Sequence, residues 1–279
     1  MSPLTVARGE CRIPAIGFGT YKLDPGLGTE AVATALSVGY RHIDAAQLYD
    51  NEAEVGEALA ASGLPRDELF VTTKARADRN APDDFLRSVE HSLRDLRLDR
   101  VDLLLIHWPV FPQGMAATIE ALLAARERGW ARFVGVSNFN RPQLREAQAI
   151  AGGTLVTNQV EYHPFLDQTA MLAELRGQGM FLTAYSPLAR GRIAQDPVIA
   201  EIARRHDRSP GQIALRWLVQ QGDVVAVPKA SGAERMRANL SVFDFALAEA
   251  EMAAISALGA AALRLVAPAD LSPDWDWEP

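Results

Sequence analysis

Four polar side chains stand where an apolar run gives way to a loop, and together they could reduce a carbonyl. Asp44 ends the run in "GYRHIDAAQLYDNEAEVG" and Tyr49 follows five residues later, while Lys74 closes "LFVTTK" and His107 closes "VDLLLIH". A ketone or aldehyde accepting hydride develops alkoxide charge and needs a proton donor. A phenol of pKa about 10 serves well if that value is drawn toward neutrality. Lys74 beside Tyr49 would favour the phenolate, each pKa unit being worth about 1.4 kcal/mol. Asp44 would fix the lysine, and His107 would hydrogen-bond the carbonyl oxygen. Taken singly, each residue has a blander reading: a Tyr or His at the edge of an apolar run is usually half-buried packing, and a strand-end Lys usually faces solvent. The pairing argues against that here, because an ammonium inside a cavity mouth is costly unless a carboxylate partners it.

The elements that must position these residues are short and alternate in kind. "HIDAA", "LFVTTKA", "VDLLLIHW", "FVGVSN", "LVTNQVEY", "FLTAYSP" and "VVAVPKA" read as buried strands, with "AIGFGTY" ahead of them. Between them "TEAVATALSVG", "NEAEVGEALAASG" and "PDDFLRSVEHSLRDL" carry apolar residues at helical spacing. Gly39 and Gly63 suit helix C-caps. Ser209 with Gln212, and Asn140 with Gln143, suit capping boxes. Eight strand–helix units within the roughly 250 residues that such a barrel uses predict an α/β fold, a (β/α)8 TIM barrel occupying residues 1–279 as one domain. An open doubly wound sheet is the alternative. "LTVARGECRIPAI" predicts a short N-terminal β-hairpin around Gly9. In a barrel the C-terminal strand ends converge, and neighbouring strands lie about 4.8 Å apart, so the four residues could share one cavity mouth.

Composition removes other classes. The chain has 279 residues, 48% hydrophobic and 23% charged, with a net charge of −7 and no basic cluster, so nucleic acid and anionic membranes are poor partners. Cys11 is the only cysteine, which excludes an intrachain disulfide. No segment reaches the roughly 18 apolar residues of a membrane span, and no secretory signal pattern is present. A monomer in a reducing cytosol is the expectation. His42, His91, His163 and His206 lack metal-ligand spacing, so no metal is expected.

In order along the chain, "GFGTY", "HIDAAQLYDNEAEVG", "FVTTK", "DLLLIHWP", "GVSNF", "NQVEYHP", "AYSPLARG" and "VPKASGAERMRANL" resemble the aldo-keto reductases, from about Gly17 to Asn239. The tail "RLVAPADLSPDWD" is similar to the branch of bacterial 2,5-diketo-D-gluconate reductases of the B type. The resemblance implies a (β/α)8 barrel and NADPH-dependent reduction of small carbonyl substrates. It makes Tyr49 the proton donor, Lys74 and Asp44 its tuning pair, and His107 the substrate-orienting group. For the cofactor it implies Ser137, Asn138 and Gln159 on the carboxamide and Tyr185 stacked on the nicotinamide, with Thr20 and Asp44 on the same ring's side. Ser186 and Leu188 would lie along the pyrophosphate, and Lys229, Arg235 and Asn239 at the adenosine end. A guanidinium suits a 2′-phosphate by planar bidentate bonding, which favours NADPH over NADH. Two positions depart from the pattern: Ala230 follows the lysine where a serine is common, with Ser231 one later, and Ala238 replaces a frequent acidic residue. Weaker cofactor grip is the corresponding expectation.

Gly26, Gly28 and Ala31 fit a loose dinucleotide-binding glycine pattern, but "KLDP" precedes them rather than an apolar strand, so a loop into the first barrel helix is expected. Two rival functions use the same barrel. A Schiff-base aldolase would need Lys74 free of a carboxylate, and a regulatory nicotinamide-binding module would need no turnover. Tyr21 and Trp108 should line the substrate mouth, with Trp130 and Trp217 in packing. The segment after "ALAEAEMAAISALG" and the loop "WPVFPQGMAATIE" are short, so the mouth should be open and suited to small polar carbonyls rather than to steroid-like ketones.

Overall fold

A computed structural model describes residues 5–23 and 26–275; Asp24 and Pro25 of "KLDP" and Asp276 of the tail motif lie outside the described residues. Strands β1 (Thr5–Arg8) and β2 (Cys11–Pro14) pair antiparallel as the expected hairpin. Gly9 takes a left-handed φ of 55° at the first of the two turn positions, the place a glycine fills in a II′ turn. Eight parallel strands follow: β3 (Phe18–Gly19), β4 (His42–Asp44), β5 (Phe70–Ala75), β6 (Val101–Ile106), β7 (Ala131–Ser137), β8 (Leu155–Glu161), β9 (Phe181–Tyr185) and β10 (Val224–Ala226). They run in sequence order across the sheet. The sheet then closes on itself, with Ile16 bridging Ala226 in parallel, Gly17 N donating to Ala226 O at 2.9 Å, and Gly19 N donating to Pro228 O at 3.1 Å. A Cβ added at Gly19 would stand 2.9 Å from Val227 O, so only glycine admits this close seam.

Helices α1 (Gly28–Ser37), α2 (Glu52–Ala61), α3 (Pro82–Asp95), α4 (Met115–Glu127), α5 (Arg141–Ile150) and α6 (Thr169–Gly177) each follow one strand. The simple alternation fails after β9, where α7 (Pro197–His206) precedes α8 (Pro210–Gln220). Two more, α9 (Ala233–Leu240) and α10 (Glu249–Ala257), follow β10. Both capping boxes form: the Asn140 side chain accepts from Gln143 N, and that of Ser209 accepts from Gln212 N. Gly39 and Gly63 take φ of 113° and 68° just past α1 and α2. The glycine pattern at Gly26–Ala31 enters α1 from a turn. β5 and β6 are buried at every residue, as strands packed inside and outside must be.

His42 of β4 is fully buried, its Nε2 3.1 Å from Thr72 Oγ1 and its ring edge-on to Phe70. Burial pushes its imidazole down from 6.5 to about 4, against the opposing pull of Asp44. Between those values the unfolded chain carries a proton that the folded chain does not. The stability held by the neutral ring, complete above pH 6.5, is therefore lost as pH falls toward 4, by about 3 kcal/mol. Urea unfolding at pH 7 and pH 4.5 should show His42→Gln losing about 2–3 kcal/mol less than the parent on acidification; an identical loss in both proteins would refute this account.

Candidate active site

The C-terminal strand ends open on a cavity of about 880 Å³. Asp44 is the last residue of β4 and pairs in register with Gly19 and Thr72, while Lys74 of β5 pairs with Leu105. Tyr49 comes from a 3₁₀ turn, Gln47–Tyr49, that ends on Asp50 at φ 52°. Gln47 pins that turn: its Nε2 donates to Ser88 Oγ (3.1 Å) and Ser92 Oγ (2.9 Å), and its Oε1 accepts from Arg76 N (2.9 Å). A buried carboxylate, Glu52, lies behind this lattice and accepts from Thr73 Oγ1 and Ser92 Oγ.

Lys74 Nζ donates to Asp44 Oδ1 (2.5 Å), Ala45 O (2.8 Å) and Tyr49 Oη (3.3 Å), which uses all three of its protons. Asp44 Oδ2 accepts from Gln159 Nε2 at 2.7 Å. Burial pushes the lysine down, and the Asp44 carboxylate and its hydrogen bond resist. Burial pushes the Tyr49 phenol well above its usual value, with Asp44 and Tyr21 adding to the rise. The expectation of a phenol drawn toward neutrality is therefore corrected. The ammonium's charge is matched by a carboxylate 2.5 Å away, so the phenol meets a neutral pair in a dry site. His107 stands edge-on to Tyr49, ring centroids 5.7 Å apart, and burial followed by Lys74 and Arg76 holds its imidazole well below its usual range. It is neutral at pH 7.

Asp44, Tyr49, His107, Asn138, Gln159, Tyr185, Ser186, Leu188, Lys229 and Arg235 border the cavity, with Tyr21 and Trp108 at its mouth. Lys74, Thr20, Ser137 and Asn239 do not; Lys74, Thr20 and Ser137 support residues that do. Thr20 Oγ1 donates to Asp44 O, Ser137 Oγ donates to Gln159 O, and Asn138 Nδ2 donates to His107 O while Asn138 Oδ1 accepts from Tyr185 Oη. Asn239 is buried on α9. Asn138 and Ser186 hold positive φ, 63° and 49°, at the ends of β7 and β9, where backbone strain commonly marks a working site. Lys74, buried beneath Tyr49 and ion-paired, is badly placed for Schiff-base chemistry.

The donor set fits a dinucleotide phosphate. Among the described residues Lys22, Arg190, Lys229 and Arg235 border the cavity without a carboxylate partner, and Arg235 is steadied by Ser231, whose Oγ it reaches at 2.6 Å. Gln159 spends its N–H on Asp44, leaving its amide oxygen as an acceptor for a carboxamide. Sequence reasoning missed Lys22, Arg190 and the tail residues Leu265–Pro268 and Leu271, which all border the cavity. The tail is short, as expected, yet it folds back at the end of β8 and borders the cavity. The one available signal was the apolar content of "LRLVAPADL" beyond the last helix.

Residues 15–260 match the Aldo/keto reductase family. Methylglyoxal reductase DkgB of Escherichia coli O157:H7 is 40% identical over 267 residues, 95% of this chain and 99% of that one. Aldo-keto reductase family 1 member A1 of Rattus norvegicus is 38% identical over 281 residues, covering 88% of this chain and 86% of that one. Among solved structures, a provisionally named 2,5-diketo-D-gluconic acid reductase B superposes with a TM-score of 0.94 at 46% identity, covering 98% of this chain and 97% of that one. With the strand-end site and the closed barrel, these matches establish that the chain belongs to the aldo/keto reductase family.

Proposed function

We propose that the protein reduces small polar aldehydes and ketones with NADPH, that Tyr49 is the proton donor, and that dicarbonyls such as methylglyoxal and 2,5-diketo-D-gluconate are its preferred class. The observation that carries the reading is Lys74 Nζ placed 3.3 Å from Tyr49 Oη and 2.5 Å from Asp44 Oδ1. Tyr49 oxygen accepts from the ammonium, which leaves the phenolic proton to point at a carbonyl oxygen in the cavity. The raised phenol pKa keeps that proton in place until charge develops on the substrate oxygen. As the proton leaves, the Lys74 hydrogen bond strengthens onto the forming phenolate, an interaction greater in the transition state than before it. Neutral His107 donates a second hydrogen bond to the same oxygen, without competing as an acid. The nicotinamide, when bound, supplies the hydride to the carbonyl carbon.

Asn138, Gln159 and Tyr185 would hold the carboxamide end, and Lys229 and Arg235 the phosphorylated adenosine end. Cations without carboxylate partners, in a chain of net charge −7, favour the more highly charged dinucleotide. The substrate class is supported by the names of the relatives, a methylglyoxal reductase and a provisional diketogluconate reductase. It also follows from chemistry, since an adjacent carbonyl withdraws electrons and makes the reacting carbon more electrophilic. At Tyr21 and Leu48 one side of the mouth is open to solvent.

Tyr49→Phe should lower turnover of methylglyoxal by 10²-fold or more with NADPH affinity intact; near-parental turnover in steady-state assays would sink the donor assignment. Arg235→Ala should weaken NADPH at least roughly tenfold more than NADH, the scale of one charge-assisted bond, and fluorescence titrations with equal losses for both cofactors would overturn the 2′-phosphate role. In a substrate panel followed by NADPH absorbance, kcat/KM should be higher for methylglyoxal or 2,5-diketo-D-gluconate than for any steroid ketone. A steroid winning tenfold would refute the substrate class.

A further inference from the structure

Glu161, the last residue of β8, is fully buried, and its carboxylate bonds elsewhere than to the catalytic four. Its Oε1 accepts from Leu265 N (2.8 Å) and His163 Nε2 (3.0 Å), and its Oε2 accepts from Val266 N (2.9 Å). Two consecutive backbone amides of the C-terminal segment therefore land on one carboxylate at the rim of the barrel. Leu263 N donates to Phe165 O (2.8 Å) just before them, and Asn140 Nδ2 reaches Asp274 O (2.9 Å) beyond. Between those two ties the apolar residues Leu265, Val266, Pro268 and Leu271 border the cavity.

We propose that Glu161 is a positioning residue for substrate selectivity: by clamping the amides of Leu265 and Val266 it holds the tail as a formed apolar wall, so that carbonyls with a hydrophobic substituent gain contact there while the smallest ones do not depend on it. The chain here has no regular secondary structure to order it, since residues 263–268 lie outside any helix or strand. A mobile segment would have to be ordered by each ligand at an entropic cost, and a segment already bonded at two amides avoids most of that. A carboxylate suits the task because it offers two acceptor oxygens and no donor, matching a pair of N–H groups that a glutamine could satisfy only in part. Burial makes the bonds exclusive, as no water competes for the carboxylate.

This inference rests on the reductase reading, and the test separates the two. Phenylglyoxal and methylglyoxal share the dicarbonyl and differ by the ring that would meet the wall. In Glu161→Gln the ratio of their kcat/KM values, phenyl over methyl, should fall fivefold or more through KM for phenylglyoxal, with its kcat moving less than twofold. Val266→Pro deletes one clamped amide from the tail side, leaving the barrel untouched, and should shift the ratio in the same direction; the double variant should shift it no further than the larger single one. Amide hydrogen exchange at residues 263–268 should quicken in Glu161→Gln. An unchanged ratio in both single variants, or equal loss for the two dicarbonyls through kcat, would overturn the proposal. If the parent protein consumed no NADPH with either dicarbonyl, the reductase reading would fail, and unaltered exchange in Glu161→Gln would overturn the clamp on its own.

Discussion

The ion pair of Lys74 with Asp44 is the constraint around which the upper half of the barrel is arranged. Both groups are buried, and a lone charge there would cost several kcal/mol, so every remaining hydrogen-bonding position on the pair has to be met by protein. Ala45 O and Tyr49 Oη complete the ammonium, and Gln159 reaches Asp44 from across the cavity. Strands β4, β5 and β8 are thereby tied to one another through side chains as well as through the sheet. The arrangement makes the phenol oxygen the third acceptor of the ammonium. The position of the Tyr49 hydroxyl and the integrity of the barrel mouth depend on the same contact.

Much of this was legible beforehand because the relevant signals were local. Buried β-branched runs and cap residues such as Asn140 with Gln143 act within a few residues, and the barrel follows from their order. The four residues at strand ends were legible for a related reason: a strand of fixed direction delivers its last side chain to a predictable rim. What escaped was long-range. No local pattern says that Lys74 is shielded by its own partner, so the direction of the Tyr49 shift could be read only once burial was known. Nor does anything near Leu265 announce that its amide will meet Glu161, 104 residues away. Of the two helices after β9, α8 was announced by its Ser209–Gln212 box, whereas α7, capped by Asp196, was not singled out.

Charge is distributed unevenly about the cavity. Away from the cavity, acidic residues sit in exposed pairs such as Arg87 with Asp84 and Arg204 with Glu201, which contribute little to stability. The cations that border the cavity have no such partners. Their field is focused into a low-dielectric basin within an otherwise negative molecule, drawing anions to one opening and discouraging them elsewhere.

The seam between β3 and β10 has a consequence for the birth of the protein. Residues 15–19 and 226–228, some two hundred positions apart, complete each other's hydrogen bonding. During synthesis the first strand emerges long before its second neighbour exists, and its edge must wait through nearly the whole chain. A nascent chain lacking residues beyond 224 has an open sheet with the Gly17 and Gly19 amides unpaired, and Lys229, Arg235 and the tail wall are absent from the cavity. Ring closure and completion of the cavity thus arrive together, at the end of translation, and a partly made chain has neither the closed seam nor the full cavity lining.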